Sequence, residues 1–157
     1  MIEIKNILLP TDFSEPANYS LKYGMSLASK FKATLHVIHV AEHARAGSAG
    51  EAVDYLVPDH IAALESKDRL RLEELVQRIC AEGVDARAIF VAGRAYQDIV
   101  KCARDLDVDL IVLATHGRTG FSHLVFGSTA EKVIRLASCP VITVKLPVPD
   151  ALRAQAS

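Results

Sequence analysis

Five short apolar runs, each rich in branched residues, alternate along this chain with longer segments that carry apolar residues at helical spacing. Runs of this kind are typical of strands that are covered on both faces, as in a parallel sheet. The alternation therefore predicts an α/β fold, a parallel sheet with helices on both faces. The predicted strands are Ile4–Leu9, Thr34–Val40, Val84–Val91, Leu110–Ala114 and Val141–Lys145.

Helical segments separate the predicted strands. Ser14 is a candidate N-cap for the first helix, and a second helix is predicted over 59–81, with Gly83 as the residue that stops it. A third helix is predicted over 95–106, and a fourth begins at or near Ser128. The apolar stripe of the second helix comprises Ile61, Leu64, Leu72, Leu75 and Ile79.

A loop containing several glycines joins the fourth predicted strand to the fourth helix. It begins with the residues Ala114, Thr115, His116, Gly117, Arg118, Thr119 and Gly120. Gly127 then precedes Ser128 and Glu131, whose spacing is that of a capping box. The free amides and positive dipole end of a helix N-terminus favour an anion, and glycines let a phosphate approach the main chain. The loop therefore predicts a phosphate site bracketed by Gly117 and Gly127.

A purely structural interpretation of this loop stays open. Ser128 and Glu131 can serve only to cap the helix, and the glycines can serve only to turn the chain. Thr115, Thr119 and Arg118 add hydroxyls and a guanidinium that suit phosphate, although a solvated Arg118 is as compatible with the sequence. His116 and His123 have no orienting carboxylate or nucleophile at a recognisable spacing, so we predict no catalytic residue.

The carboxyl ends of the first two strands are the other candidates. Doubly wound sheets bind ligands where the winding direction reverses, so Pro10, Thr11 and Asp12 face the loop if the first and fourth strands are neighbours. Asp12 suits ribose hydroxyls or a magnesium ion carried by phosphates, and its alternative is an Asx turn or a cap. Val40, at the end of the second strand, is placed to contact a flat base, and its alternative is an ordinary strand terminus.

Other sites are disfavoured by what the sequence lacks. There is neither a P-loop lysine motif nor a G-x-G-x-x-G after the first strand, which favours nucleotide binding over rapid hydrolysis. Three or four charge-assisted bonds of about 1.5–3 kcal/mol each must offset an association cost of roughly 4–15 kcal/mol, so we expect micromolar affinity. Three widely spaced cysteines argue against a disulfide framework or a thiolate metal site.

Composition limits the class of protein. The chain has 157 residues, half of them hydrophobic, and a net charge of −1, which predicts a single domain over 1–157. Within it, 41–58 is expected to be a mobile loop and 146–157 a tail. Interspersed charges disfavour nucleic acid and membrane partners, and the lack of a long apolar run or a signal segment predicts a cytoplasmic protein.

The chain resembles the universal stress protein family, in particular its ATP-binding branch, whose motif is G-x2-G-x9-G-[ST]. Here that register is Ala114-x2-Gly117-x9-Gly127-Ser128, with alanine in place of the first glycine. Further resemblance lies in the stretches Ile7-Leu8-Leu9-Pro10-Thr11-Asp12, Leu35-His36-Val37-Ile38-His39-Val40 and Cys139-Pro140-Val141-Ile142-Thr143-Val144, and in Gly93. Together these motifs cover nearly the whole domain.

The resemblance implies a doubly wound, five-stranded parallel sheet of order 3-2-1-4-5, an adenine nucleotide alpha hydrolase-like fold. It implies ATP, with or without Mg²⁺, as ligand, with Asp12 near ribose and Val40 near adenine. Phosphates would lie on Gly117, Gly127, Ser128 and Thr129, and Arg118 and Gly120 sit in a loop like that of many ATP-binding members. It also implies a homodimer through the strand 141–145, which would otherwise leave an apolar edge uncovered. A short strand covered by the chain's own tail is the alternative.

These features predict a regulatory or partner-binding module that responds to nucleotide during stress, acting on an unidentified protein client. One alternative is an enzyme that slowly hydrolyses ATP or transfers a nucleotidyl group through the same loop. Another is a structural dimer in which the glycine loop binds no nucleotide.

Overall fold

The computed structural model describes residues 2–42, 58–116 and 127–147. Strands and helices alternate along these residues in the predicted order, which confirms the α/β fold class. The elements are β1 (Asn6–Pro10), α1 (Glu15–Phe31), β2 (Thr34–Ala41), α2 (Pro58–Ala81), β3 (Ala86–Ala92), α3 (Ala95–Asp105), β4 (Leu110–Ala114), α4 (Ser128–Leu136) and β5 (Val141–Val144). None of the described helices combines the length and hydropathy needed to cross a bilayer.

The strands form one parallel sheet of order β3-β2-β1-β4-β5. The strand order that the resemblance implied is therefore confirmed. The chain winds outward from β1 through β2 to β3, then returns to the other side of β1 to add β4 and β5. The winding direction thus reverses between β1 and β4, where α/β sheets bind their ligands.

Two apolar layers cover the two faces of the sheet. One layer joins α1 and α2 to the sheet and contains Leu21, Leu35 and Leu72. The other joins α3 and α4 to the opposite face and contains Ile99 and Val133. Helices therefore lie on both faces, as predicted, and both faces of the central strands are buried, which explains their nearly continuous apolar sequences.

Strand starts differ from the sequence prediction at two places. β1 begins at Asn6 and β3 at Ala86, because pairing with β2 starts at Asn6 opposite Thr34 and at Ala86 opposite Leu35. Ile4 and Val84, two residues before these positions, are apolar but lie ahead of the ladder. An apolar run therefore predicts the presence of a strand more reliably than it predicts the first paired residue of that strand.

The predicted capping box at α4 is wrong. The helix begins at Ser128 as expected, but Gly127 is the N-cap, with φ −69° and ψ 155°, and none of the described side chains forms a cap hydrogen bond there. The cause is tertiary: the Gly127 amide is held by the carbonyl of Thr115, so Gly127 is the last residue outside the helix. Ser128 is consequently the first helical residue and cannot act as the N-cap.

Several predicted features lie outside the described residues. They are the loop residues Gly117, Arg118, Thr119, Gly120 and His123, most of the predicted loop 41–58, and the tail beyond residue 147.

Candidate functional site

A cavity of about 510 Å³ opens at the carboxyl ends of β1, β2 and β4, where the winding reverses. Its volume falls within the roughly 300–1,000 Å³ that is usual for small-molecule sites. The predicted site residues that line it are Pro10, Thr11, Asp12, Val40, Ala114, Thr115, His116, Gly127, Ser128 and Thr129. The fold thus gathers candidates from distant parts of the sequence, and their role toward a ligand stays a prediction.

The turn between β1 and α1 forms one wall. The carboxylate of Asp12 accepts a hydrogen bond from the Ser14 amide at 3.0 Å, so the Asx turn considered from the sequence is present. The hydroxyl of Thr11 accepts from the Phe13 amide at 3.1 Å, and Phe13 adopts a positive φ of 62°. These side-chain contacts hold a strained turn in place. Asp12 therefore shapes the turn and lines the cavity at the same time.

The start of α4 forms the opposite wall. Gly127 donates to the Thr115 carbonyl at 2.7 Å, and the Thr115 amide donates to Val144 in β5 at 3.0 Å. The Thr115 hydroxyl and Nδ1 of His116 lie 3.0 Å apart. Within the described chain no side chain caps α4, so its first-turn amides and positive dipole end border the cavity.

The start of α3 differs from that of α4. The Ala95 amide donates to the Glu42 carboxylate at 2.7 Å, and the Arg94 amide donates to the Asp98 carboxylate at 2.7 Å. The carboxylates of Glu42 and Asp98 therefore already accept hydrogen bonds from amides at the positive end of α3. This holds although Ala95 and Glu42 both line the cavity. An anion entering the cavity is consequently favoured at α4 and disfavoured at α3.

The α2 side of the cavity contains a pair that the sequence prediction missed. His39 is 5% exposed, and its Nε2 lies 3.6 Å from a carboxylate oxygen of Asp68. Asp68 occurs between Leu64 and Leu72, where the apolar stripe of α2 would otherwise continue, and this interruption was the available signal. Leu64 is 43% exposed because it lines the cavity instead of packing in the core.

The family model described as the universal stress protein family matches residues 3–145. This chain belongs to the universal stress protein family. It is 31% identical over 153 residues to the universal stress protein MJ0577 of Methanocaldococcus jannaschii, an alignment that covers 90% of this chain and 94% of that relative.

Solved structures of other family members share the fold of this universal stress protein. UspA from Lactobacillus plantarum superposes with a TM-score of 0.80 at 22% identity, over 92% of this chain and 99% of that one. The universal stress protein from Archaeoglobus fulgidus in complex with dAMP superposes with a TM-score of 0.63 at 24% identity, over 92% of this chain and 100% of that one.

The charged groups of the described lining are mostly acidic in this universal stress protein. Asp12, Glu42 and Asp68 contribute carboxylates, and no lysine or arginine lines the cavity in the described part of the chain. Among residues 2–42, 58–116 and 127–147, no three His, Cys, Asp or Glu side chains are grouped so as to hold a metal ion. Any cation in this cavity would therefore need ligands besides these side chains.

Proposed function

We propose that this universal stress protein binds an adenine nucleotide, with ATP as the principal ligand, and acts as a nucleotide-dependent regulatory or partner-binding module in the cytoplasmic stress response. The observation that carries this proposal is the start of α4, which no described side chain caps and which borders a nucleotide-sized cavity at the winding reversal of the sheet. The dAMP complex of the Archaeoglobus fulgidus protein, which has the same fold, supports an adenine nucleotide as the ligand class.

The proposed ligand has one orientation in the cavity. Its phosphates lie at α4, on the amides of Gly127, Ser128 and Thr129, because the start of α3 is already matched by carboxylates. Gly117, Arg118 and Gly120 complete the phosphate loop in this proposal. The ribose lies by Asp12, and the base lies at the end of β2 beside Val40.

Magnesium fits the same proposal as a companion of the phosphates. A nucleoside triphosphate carries several negative charges, and the described lining adds carboxylates but no lysine or arginine. A divalent cation bound to the phosphates would lower that repulsion, and Asp12 is the side chain proposed to face it. Magnesium supplies charge neutralisation here, whereas the protein supplies main-chain amides.

Binding without rapid turnover is the proposed mode of action. The chain lacks the phosphate-clasping lysine of P-loop enzymes, and the described lining offers no cation to stabilise a transferring phosphoryl group. A single-turnover assay with magnesium and ATP tests this point. We expect intact ATP to be recovered from the complex, whereas fast release of phosphate would establish an enzyme instead.

Calorimetric titration with ATP and magnesium tests the binding site itself. We expect micromolar affinity in the wild-type protein and no measurable binding in Gly127→Glu, because the new carboxylate would lie at the α4 amides and repel phosphate. Ser138→Glu is the matched control, since it adds the same charge in an exposed segment after α4. Equal affinities in wild type and Gly127→Glu would reject this site.

We also propose that two copies of this protein pair through β5. In the described sheet β5 pairs only with β4, and Ile142 on it is 39% exposed. An uncovered apolar edge strand is a hazard that soluble proteins generally cover. Pairing of two such edges would bury Ile142 and satisfy the outer main-chain groups of the strand.

A further inference from the structure

One side of the cavity holds two hydrogen-bond acceptors that the proposed phosphate and ribose contacts leave unused. Nδ1 of His39 lies 2.8 Å from the carbonyl oxygen of Thr11. A carbonyl can only accept, so Nδ1 carries the proton and donates it. In the neutral ring, Nε2 is therefore a lone-pair acceptor, and it lies 3.6 Å from the carboxylate of Asp68, which lines the cavity together with His39.

The His39 ring is held in this orientation. Its centroid lies 4.5 Å from that of Phe13 and 5.9 Å from that of Phe90, and the residue is only 5% exposed. Arg71 and Arg69 cover the outer faces of this aromatic group, 4.4 Å and 4.3 Å from the centroids of Phe13 and Phe90. Packed rings on both sides prevent the imidazole from turning Nε2 toward another partner.

Asp68 supplies the second acceptor. Its carboxylate oxygen lies 3.6 Å from Nε2 of His39, which is longer than an ordinary N–H···O hydrogen bond. The side chain is 27% exposed, and the described residues give it no ion pair with lysine or arginine. Two acceptors thus lie side by side at a cavity wall, and a ligand group that donates hydrogen bonds would satisfy both.

The proposed orientation places the nucleobase at this side. With the phosphates at α4, the base lies at the β2 end of the cavity, whose lining includes Val40, His39, Leu64 and Asp68. Adenine carries an exocyclic 6-amino group with two N–H donors, whereas hypoxanthine and guanine carry an oxygen there, which is an acceptor. A 6-oxo purine would put a third acceptor against the other two and would keep only its neighbouring N1–H as a donor on that edge.

We infer that His39 and Asp68 determine base specificity by accepting hydrogen bonds from the 6-amino group of the bound purine. This inference rests on the proposed nucleotide function and identifies the preferred ligand class as 6-aminopurine nucleotides. His39 fixes the position of one acceptor through Thr11 and the aromatic rings, and Asp68 supplies the charged one. Hydrogen bonds to a charged acceptor discriminate strongly, because the wrong ligand leaves that acceptor unpaired.

The test compares ATP with inosine triphosphate, which replaces the 6-amino group by a 6-oxo group, in calorimetric titrations at pH 8. Wild-type protein is expected to bind ATP at least about tenfold more tightly. Asp68→Asn replaces an acceptor-only side chain by an amide that also donates, so the ratio should fall toward one through weaker ATP binding and tighter inosine triphosphate binding. Asp68→Ala should weaken ATP binding without improving inosine triphosphate binding.

Asp59→Asn is the matched control, because it removes the same charge from an exposed position in the first turn of α2. The ratio of its affinities for ATP and inosine triphosphate should equal that of the wild type. Thermal unfolding of each variant establishes that it is folded. Equal binding of the two nucleotides by the wild type, or a ratio that neither Asp68 variant changes, overturns this inference while leaving nucleotide binding intact. Failure of the wild type to bind either nucleotide overturns the proposed function itself.

Discussion

The amide of Gly127 donates a hydrogen bond of 2.7 Å to the carbonyl oxygen of Thr115. Thr115 directly follows β4, and Gly127 directly precedes α4. The bond therefore fixes the end of a central strand against the start of a helix. It sets the position of the α4 amides relative to the cavity, and it involves main-chain atoms only.

Two substitutions at Gly127 distinguish the contribution of its amide hydrogen bond to stability from the effect of adding a side chain there. Gly127 has φ −69°, which any residue adopts, and an added Cβ would lie 3.4 Å from the Thr115 oxygen. Gly127→Ala should therefore change the free energy of unfolding by less than about 1 kcal/mol. Gly127→Pro keeps φ but removes the donor, and should cost about 1–3 kcal/mol more. Urea unfolding measures both, and equal stabilities would show that the hydrogen bond contributes nothing.

Asp109 is expected to stabilise the sheet at the opposite end from the cavity. One of its carboxylate oxygens accepts from the amides of Lys5 and Asn6, at 2.7 Å and 2.9 Å, which holds the start of β1 beside β4. Asp109→Ala leaves both amides without this acceptor and should lower the free energy of unfolding by about 1–3 kcal/mol.

Asp105→Ala is the comparison for this prediction. It removes a carboxylate that pairs with Lys101 on the exposed surface of α3, and such pairs contribute roughly 0–1 kcal/mol. Chemical denaturation of the two variants under the same conditions should rank Asp109→Ala as clearly less stable. The opposite ranking would contradict the role assigned to Asp109.

The stability of the protein should depend on pH through His36. Burial lowers the pKa of His36, and the charge of Arg87 lowers it further. The unfolded chain therefore takes up the proton first as the pH falls, so the free energy of unfolding should decrease as the pH drops below about 6.5. Urea unfolding at several pH values measures this dependence, which should be weaker in His36→Gln.

His60→Gln is a suitable control for this experiment because His60 is exposed on α2. Its pH dependence should follow that of the wild type. If the His36 variant instead keeps the wild-type dependence below neutrality, burial of that imidazole does not govern acid stability.

The proposed dimer gives a prediction for β5. Ile142→Lys places a charge on the proposed contact strand and should convert a dimer to a monomer in sedimentation velocity experiments. Leu70→Lys adds the same charge at a 57% exposed position on α2, which packs near the opposite edge of the sheet. It should remain dimeric. A monomeric wild-type protein would refute pairing through β5 outright.

Local sequence patterns predicted the fold well because they report on burial. The run Leu110–Ala114 is apolar throughout since both faces of β4 are covered, and its bounds agree with the structure. The third and fourth helices were also located closely, because their apolar stripes face the sheet. The start of β3 was not, because Val84 is as apolar and buried as a strand residue but precedes the ladder.

The site was predicted only in part, because some of its features depend on contacts between distant residues. The turn residue Asp12 was identified from its position after a strand. By contrast, the N-cap of α4 was misplaced, since Gly127 is selected by Thr115 across the loop and not by its neighbours. The pairing of His39 with Asp68 is likewise invisible to local patterns, because it depends on how α2 lies over β2.

The position of β1 in the sheet has a consequence for biosynthesis. β1 is made before β4, and their contact joins residues 103 positions apart, from Asn6 to Asp109. A nascent chain therefore carries β1 with one edge open until β4 has left the ribosome. The cavity between these strands is completed only when β4 is added, so a nucleotide bound there would stabilise only chains in which β4 has already emerged.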